Sequence, residues 1–354
     1  MPWTVVGQDA AVSGLRRARE SGRLAHAYLF VGSAHTGKTL AALQFAQSLN
    51  CTGDEPPCGR CRNCEKIASN AHPDVEIVTL GGLCIEDSHD HAKDNSRDIR
   101  ICQIRRIERV VSRAPFEGAY RVIIIEPADS MNQVTQNALL KTLEEPPPQV
   151  VIIVIAEQED KLLDTIRSRA RRVAFAGVSR DVIERTLRTR WDVEPERAAA
   201  LARLSGGRIG WAVLALHDEK MLEDREQALQ RAETLAAAPI AERFAFANEA
   251  GSRYTKDRAA VHATLEMWQE WWRDLLLIAA GREDRAVHRD RLDRLRVLAA
   301  QCDVASAVRA LRAVTDARQQ LEENASPVLA LEAMMLALPE LRPNAVAGRL
   351  AERQ

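Results

Sequence analysis

Apolar residues in the first half of the chain fall into short unbroken runs, separated by stretches with helical spacing. Tyr28-Leu29-Phe30-Val31 is one such run and ends at Gly32. A helical pattern starts near Lys38, where Leu40, Leu43 and Ala46 share one face. Val75–Leu80 is a second β-like run, introduced by His72-Pro73-Asp74. Gly81–Asp98 is polar, holds a Gly-Gly pair and predicts an exposed loop. Ile101, Ile104, Ile107 and Val111 recur at helical spacing, and Arg121–Glu126 is a third strand rich in β-branched residues. Asn132–Leu143 predicts a helix, ended by Pro146-Pro147-Pro148. Val150–Ala156 is a fourth strand and Arg172–Phe175 a candidate fifth. Strands that are apolar throughout, alternating with helices, indicate a parallel sheet covered on both faces.

The strand signal stops after about Val178. Ser179–Glu233 reads as a small helical unit broken at Ser205-Gly206-Gly207, and from Pro239 the chain is again all helix. Val304, Val308, Leu311, Val314 and Leu321 form an apolar stripe, and Pro327 opens another helical stretch. The pattern is α/β followed by all-α, with no internal repeat.

Composition narrows the class. With 354 residues, 46% hydrophobic and 28% charged, the chain suits two or three globular domains and excludes a disordered one. The longest apolar run, Val150–Ala156, is far below the ~20 residues of a bilayer span, and Met1-Pro2-Trp3-Thr4 lacks a signal-peptide pattern. A cytoplasmic protein without membrane partners is expected. Net charge is −1, so a basic face that grips DNA unaided is not expected.

Gly32-Ser33-Ala34-His35-Thr36-Gly37-Lys38-Thr39 matches the phosphate-loop pattern G-x-x-x-x-G-K-[ST]. Its glycines let backbone N–H groups turn inward around phosphate oxygens, and the following helix adds positive potential. Lys38 would reach the β- and γ-phosphates and Thr39 would hold Mg²⁺. Without a nucleotide, the same pattern is a glycine-rich turn between strand and helix. The third strand ends in Glu126-Pro127. An acid here orders the metal's water shell, and a second acid beside it would activate water. Pro127 accepts no proton, and Asp129 would substitute only if its loop turned it inward. ATP held but poorly hydrolysed is therefore expected; the bland alternative is that Glu126 merely ends a strand.

The chain has 7 cysteines, four of them spaced C-x6-C-x2-C-x2-C at Cys51, Cys58, Cys61 and Cys64. Four thiolates complete a tetrahedral zinc shell with no open position, which is a structural site. A redox pair would need only two. Arg60, Arg62 and Lys66 are placed to offset the dianionic cluster. Cys84 with His89 and His91 is read as part of the exposed polar loop in preference to a second metal site. Cys102 and Cys302 are read as core residues. Trp268, Trp271 and Trp272, at i, i+3, i+4, are read as helix-face packing rather than a base-stacking surface.

Three more segments accompany the phosphate loop and the cysteine insertion: His26-Ala27-Tyr28-Leu29-Phe30, the stretch Asn137-Ala138-Leu139-Leu140-Lys141-Thr142-Leu143-Glu144-Glu145-Pro146-Pro147, and Thr165-Ile166-Arg167-Ser168-Arg169. Together these resemble the AAA+ subunits of the bacterial DNA polymerase III sliding-clamp loader, most strongly over Val6–Val173. The resemblance implies a P-loop domain over 1–177 with a five-stranded parallel sheet and a zinc insertion at 51–64. It further implies a helical lid domain over 178–236 and a helical collar domain over 237–354, with Leu329-Ala330-Leu331-Glu332 in the last collar helix. Implied partners are delta and tau/gamma subunits in a hetero-pentamer, with the sliding clamp and primed DNA reached through the complex. Arg169 matches the Arg that reaches the ATP of a neighbouring subunit. Arg208 falls in the segment that touches a γ-phosphate from the lid, or is simply a solvated Arg after a helix break. Glu126-Pro127, and Ala156-Glu157 where a motor carries Thr or Ser, resemble the delta prime type more than the tau/gamma motor. Little or no ATPase from the chain alone is the corresponding expectation. The intact phosphate loop departs from the best-known delta prime pattern, so bound ATP with Mg²⁺ stays open. The alternatives are a tau/gamma-type motor and a zinc-stabilised adaptor that binds no nucleotide.

Overall fold

The computed structural model describes residues 3–82, 84, 91, 98–323 and 325–341. They divide into two compact units, Met1–Val213 and Leu214–Gln354.

The first unit is built on five parallel strands: β1 (Ala27–Val31), β2 (Val75–Val78), β3 (Arg121–Ile125), β4 (Val150–Ala156) and β5 (Arg171–Ala174). Their order is β2-β3-β4-β1-β5. Every residue of β1, β3 and β4 is buried, as near-continuous apolar runs predict. Alternate side chains of these strands feed two apolar layers. One, with Leu29, Ile123, Ile125, Ile152 and Val154, meets α4 (Ile101–Val111) and α5 (Gln133–Glu144) through Ile104, Ile107 and Leu139. The other, with Tyr28, Phe30, Ile124 and Ile153, meets α1 (Asp9–Glu20) and α2 (Lys38–Asn50) through Leu15, Ala42 and Phe45. The short helix α3 (Arg62–Ala68) follows the cysteine run, and α6 (Asp164–Arg169) precedes β5. Beyond the sheet, this unit holds α7 (Arg180–Trp191), α8 (Pro195–Leu204) and the start of α9 (Ile209–His217).

The second unit is helical. It contains α10 (Glu219–Ala237), α11 (Ile240–Tyr254), α12 (Arg258–Ala279), α13 (Leu292–Ala299), α14 (Val304–Glu322) and α15 (Pro327–Ala337). Trp268, Trp271 and Trp272 are fully buried at its centre, and Trp268 Nε1 donates to Ala228 O at 2.8 Å. Packing is therefore their role, as expected. The buried face of α14 differs from the predicted stripe: Ala307, Ala310, Val314, Ala317 and Leu321 face inward, while Val304 is exposed and Val308 and Leu311 lie at the margin. Helices that pack closely select alanine over valine, and apolar periodicity alone does not separate the two faces.

Candidate nucleotide and metal sites

The phosphate loop leaves β1 at Gly32, where glycine is required on two counts: its φ is 150°, and a side chain there would collide with Phe175 O at 2.2 Å. Phe175 N donates to Val31 O at 2.7 Å, so the loop's first residue is wedged against the end of β5. Gly37, φ 93°, stands immediately before α2. Gln8 closes the loop from outside: Nε2 donates to Thr36 O at 3.2 Å and to Ala176 O at 2.7 Å, and Oε1 accepts from Ala176 N. Sequence reading missed this buried residue because a single polar position before a helix carries no motif.

Lys38 is buried, and its Nζ donates to Gly32 O at 2.6 Å and Ser33 O at 2.7 Å. Burial lowers its pKa, opposed by the carboxylates of Glu157, Glu126 and Asp129. Thr39 Oγ1 donates to the Glu126 carboxylate, 2.7 Å from one oxygen and 2.8 Å from the other. The structure thus brings together Lys38, Thr39 and Glu126, the three groups that hold a nucleotide's phosphates and Mg²⁺ in a phosphate-loop site. Asp129 lies close enough for its charge to act on Lys38, and one of its oxygens is tied to the backbone. Its Oδ2 accepts from Glu157 N at 3.1 Å and Gln158 N at 3.0 Å, tying the segment after β3 to the end of β4. Its other oxygen, Oδ1, is buried without a hydrogen-bond partner among the described residues.

Arg208 lies just after Gly206 and Gly207, whose φ values are 57° and 90°. Its Nε donates to Ser205 O at 3.0 Å, and two residues on, Gly210 N donates to His35 O in the phosphate loop at 2.8 Å. The start of α9 thus rests on the loop. Arg169 is the last residue of α6. Its Nη1 donates to Thr165 O at 3.0 Å and its Nη2 pairs with Glu144 Oε1 at 2.8 Å, with about a third of the side chain exposed.

Cys51, Cys58, Cys61 and Cys64 converge, all four sulfurs lying within 4.8 Å of one another, and none is in a disulfide. Backbone N–H groups point at three of them: Gly53 and Cys58 at Cys51, Cys61 at Cys58, and Cys64 at Cys61, at 3.3 to 3.5 Å. Cys61 caps α3. Burial opposes its ionisation, yet the N–H groups of Thr52 and Cys64 bring its pKa down to about 6. A side chain at position 53 would meet Cys58 Sγ at 3.0 Å, so Gly53 lets the turn close over the sulfurs. The donor set suits one tetrahedral zinc ion. The module is anchored to α2, Asn63 Nδ2 donating to Asn50 O and Gln47 Nε2 to Cys64 O. Lys66, expected to offset the cluster's charge, pairs instead with Glu117 at 2.6 Å.

The polar loop is corrected in part. Cys84 and His91 are buried, not exposed, and Cys102 is half-buried beside them; His89 lies outside the described residues.

Residues 7–179 match the sequence profile of a family described as DNA polymerase III, delta subunit. The chain is 32% identical over 334 residues to the DNA polymerase III subunit delta' of Bacillus subtilis, spanning 94% of this chain and 96% of that one. The gamma/tau subunit of Mycobacterium tuberculosis is 36% identical over 174 residues, 48% of this chain and 28% of that longer one. Among solved structures, a DNA polymerase III gamma subunit-related protein of Thermotoga maritima aligns over 91% of this chain and 97% of its own, at 16% identity and a TM-score of 0.42. Since the similarity to the Bacillus protein runs nearly end to end in both sequences, the chain belongs to the family of DNA polymerase III delta' subunits.

Proposed function

We propose that this chain is a mostly static subunit of the DNA polymerase III clamp loader, assembling with delta and tau/gamma subunits to place the sliding clamp on primed DNA. Its own site holds ATP with Mg²⁺ through Lys38, Thr39 and Glu126, and turns it over slowly. The observation that carries this reading is the pairing of an intact phosphate loop, with Thr39 on Glu126, and Pro127 in place of a second acid. Phosphoryl transfer to water needs the nucleophile oriented as well as the phosphates held. In this reading the holding groups are Lys38, Thr39 and Glu126, and Pro127 stands where the residue that would position water is expected.

Arg169 acts outward in this reading. It leaves its Glu144 partner and places a guanidinium on the γ-phosphate bound by the neighbouring tau/gamma subunit. Pairing with Glu144 supports this, because a partly exposed ion pair costs little to exchange. Arg208, carried by the segment that touches His35, senses the nucleotide from the lid over 178–236, while 237–354 forms the collar. The four cysteines hold a structural zinc that fixes the turn between α2 and α3.

The test is ATP titration and turnover on the purified chain, followed by co-purification with delta and tau/gamma. Saturable ATP binding with near-background hydrolysis supports the proposal. Robust turnover by the chain alone would favour a motor, and no binding would favour an adaptor.

A further inference from the structure

We propose that Cys84, His91 and Cys102 form a second metal site, taking one zinc-class divalent cation through two thiolates and one imidazole. The three ligand atoms lie within 4.8 Å of one another, with His91 Nε2 3.0 Å from Cys102 Sγ. Cys84 and His91 are 2% and 3% exposed. Two thiolates and an imidazole are the soft and borderline donors that select zinc over magnesium or calcium.

Charge favours the site where it stands. A divalent cation binding two thiols and a neutral imidazole releases two protons, and the resulting unit carries no net charge. A neutral unit is buried without compensating cations. The four-cysteine unit, by contrast, retains two negative charges and sits nearer the surface, Cys51 and Cys61 being only partly buried.

The chain topology supplies the reason for a clip. Between β2 and α4 the chain runs from Val78 to Ile101, a long connection for a parallel sheet. Cys84 lies early in it, His91 near its middle, and Cys102 in the first turn of α4. Polar contacts already gather its two ends. Gln103 Nε2 donates to Thr79 O and Gly81 O, both at 3.0 Å, and His91 N donates to Gly82 O at 2.9 Å. A metal on all three ligands ties Cys84 and His91 to the first turn of α4. Ile99 N donates to Ser130 Oγ at 3.3 Å, so the clipped loop abuts the segment that follows Glu126. The fourth coordination position is left to solvent.

The test uses the full-length protein, purified reduced and equilibrated with zinc. Metal analysis is expected to give about two zinc ions per chain, falling to about one in Cys84→Ser/Cys102→Ser. Alkylation mapped by peptide mass spectrometry gives a second readout that needs no variant. With zinc present, Cys84 and Cys102 are expected to be protected together with the four cysteines of the 51–64 module, and to react once zinc is stripped. Cys84 and Cys102 alkylating equally fast with and without zinc would overturn the proposal. So would a double variant that keeps both ions, or a disulfide joining Cys84 to Cys102 in the natively purified protein. Loss of the first module's ion alone leaves the two peptides separately readable.

Discussion

Thr39 and Glu126 are 87 positions apart, yet the Thr39 hydroxyl donates directly to the Glu126 carboxylate at 2.7 Å. This contact sets both residues at one point on the sheet's C-terminal edge, where, under the proposed function, a magnesium ion's shell would replace it.

Lys38→Ala is expected to weaken ATP binding by about 1.5–3 kcal/mol, on the order of 10- to 150-fold, because it removes a charged donor to the phosphates. Thr39→Ala should leave affinity without magnesium nearly unchanged and remove the gain that magnesium brings. Titration of a fluorescent ATP analogue with and without Mg²⁺ reads both; equal affinities for all three proteins would show that the loop binds no nucleotide.

Cys61→Ser should lower zinc content by about one ion per chain and destabilise the first unit, since a structural zinc's binding energy is part of folding. Metal analysis with thermal unfolding checks this. A variant with unchanged metal content would remove the structural role of the four cysteines.

Asp74 is buried against Arg121 Nη2 at 2.8 Å and accepts from the N–H groups of Phe116, Glu117 and Gly118. Burial opposes its ionisation, but Arg121 and these N–H groups win and hold its pKa at about 2, below the usual 3.8. A depressed carboxylate contributes stability above its unfolded pKa, and that contribution fades as pH falls from about 4 through about 2. It amounts to about 2 kcal/mol. Asp74→Asn should be less stable near neutrality and lose less than the wild type on acidification. Urea unfolding at several pH values gives both; parallel curves would refute the assignment.

Arg243 is buried in the second unit, where its guanidinium caps the ends of two helices. Nε donates to Leu235 O and Ala238 O, Nη2 to Ala236 O and Pro339 O, and Nη1 to Leu338 O at 2.7 Å. Arg243→Met keeps the stem but strands these carbonyls, with an expected cost of about 3 kcal/mol. Arg243→Lys should recover only part of it, because one ammonium does not span both helix ends. A loss below 1 kcal/mol in denaturant unfolding would contradict this capping role.

The sheet was legible because buried parallel strands write themselves as continuous apolar runs, and all of β3 but Arg121 and all of β4 but Ala156 are Val or Ile. The phosphate loop was legible because its spacing is chemically required. The four cysteines were legible for the same reason. Contacts that join distant loops left no such trace. Gln8 grips the phosphate loop from 28 residues away, and Asp129 Oδ2 is held by the backbone of Glu157 and Gln158. Cys84, His91 and Cys102 are irregularly spaced across a polar stretch, so their convergence is visible only once α4 is placed. On α14 the periodicity was right but the face was shifted, because close helix packing favours alanine.

The trans role of Arg169 is the central claim, and DNA-stimulated ATP turnover by a complex rebuilt with delta and tau/gamma tests it most directly. With assembly verified by gel filtration, Arg169→Ala should lower turnover at the neighbouring site by about 10³-fold or more, the scale of a lost arginine finger. Glu144→Gln should leave that turnover intact. Wild-type turnover from a fully assembled Arg169→Ala complex would contradict the account.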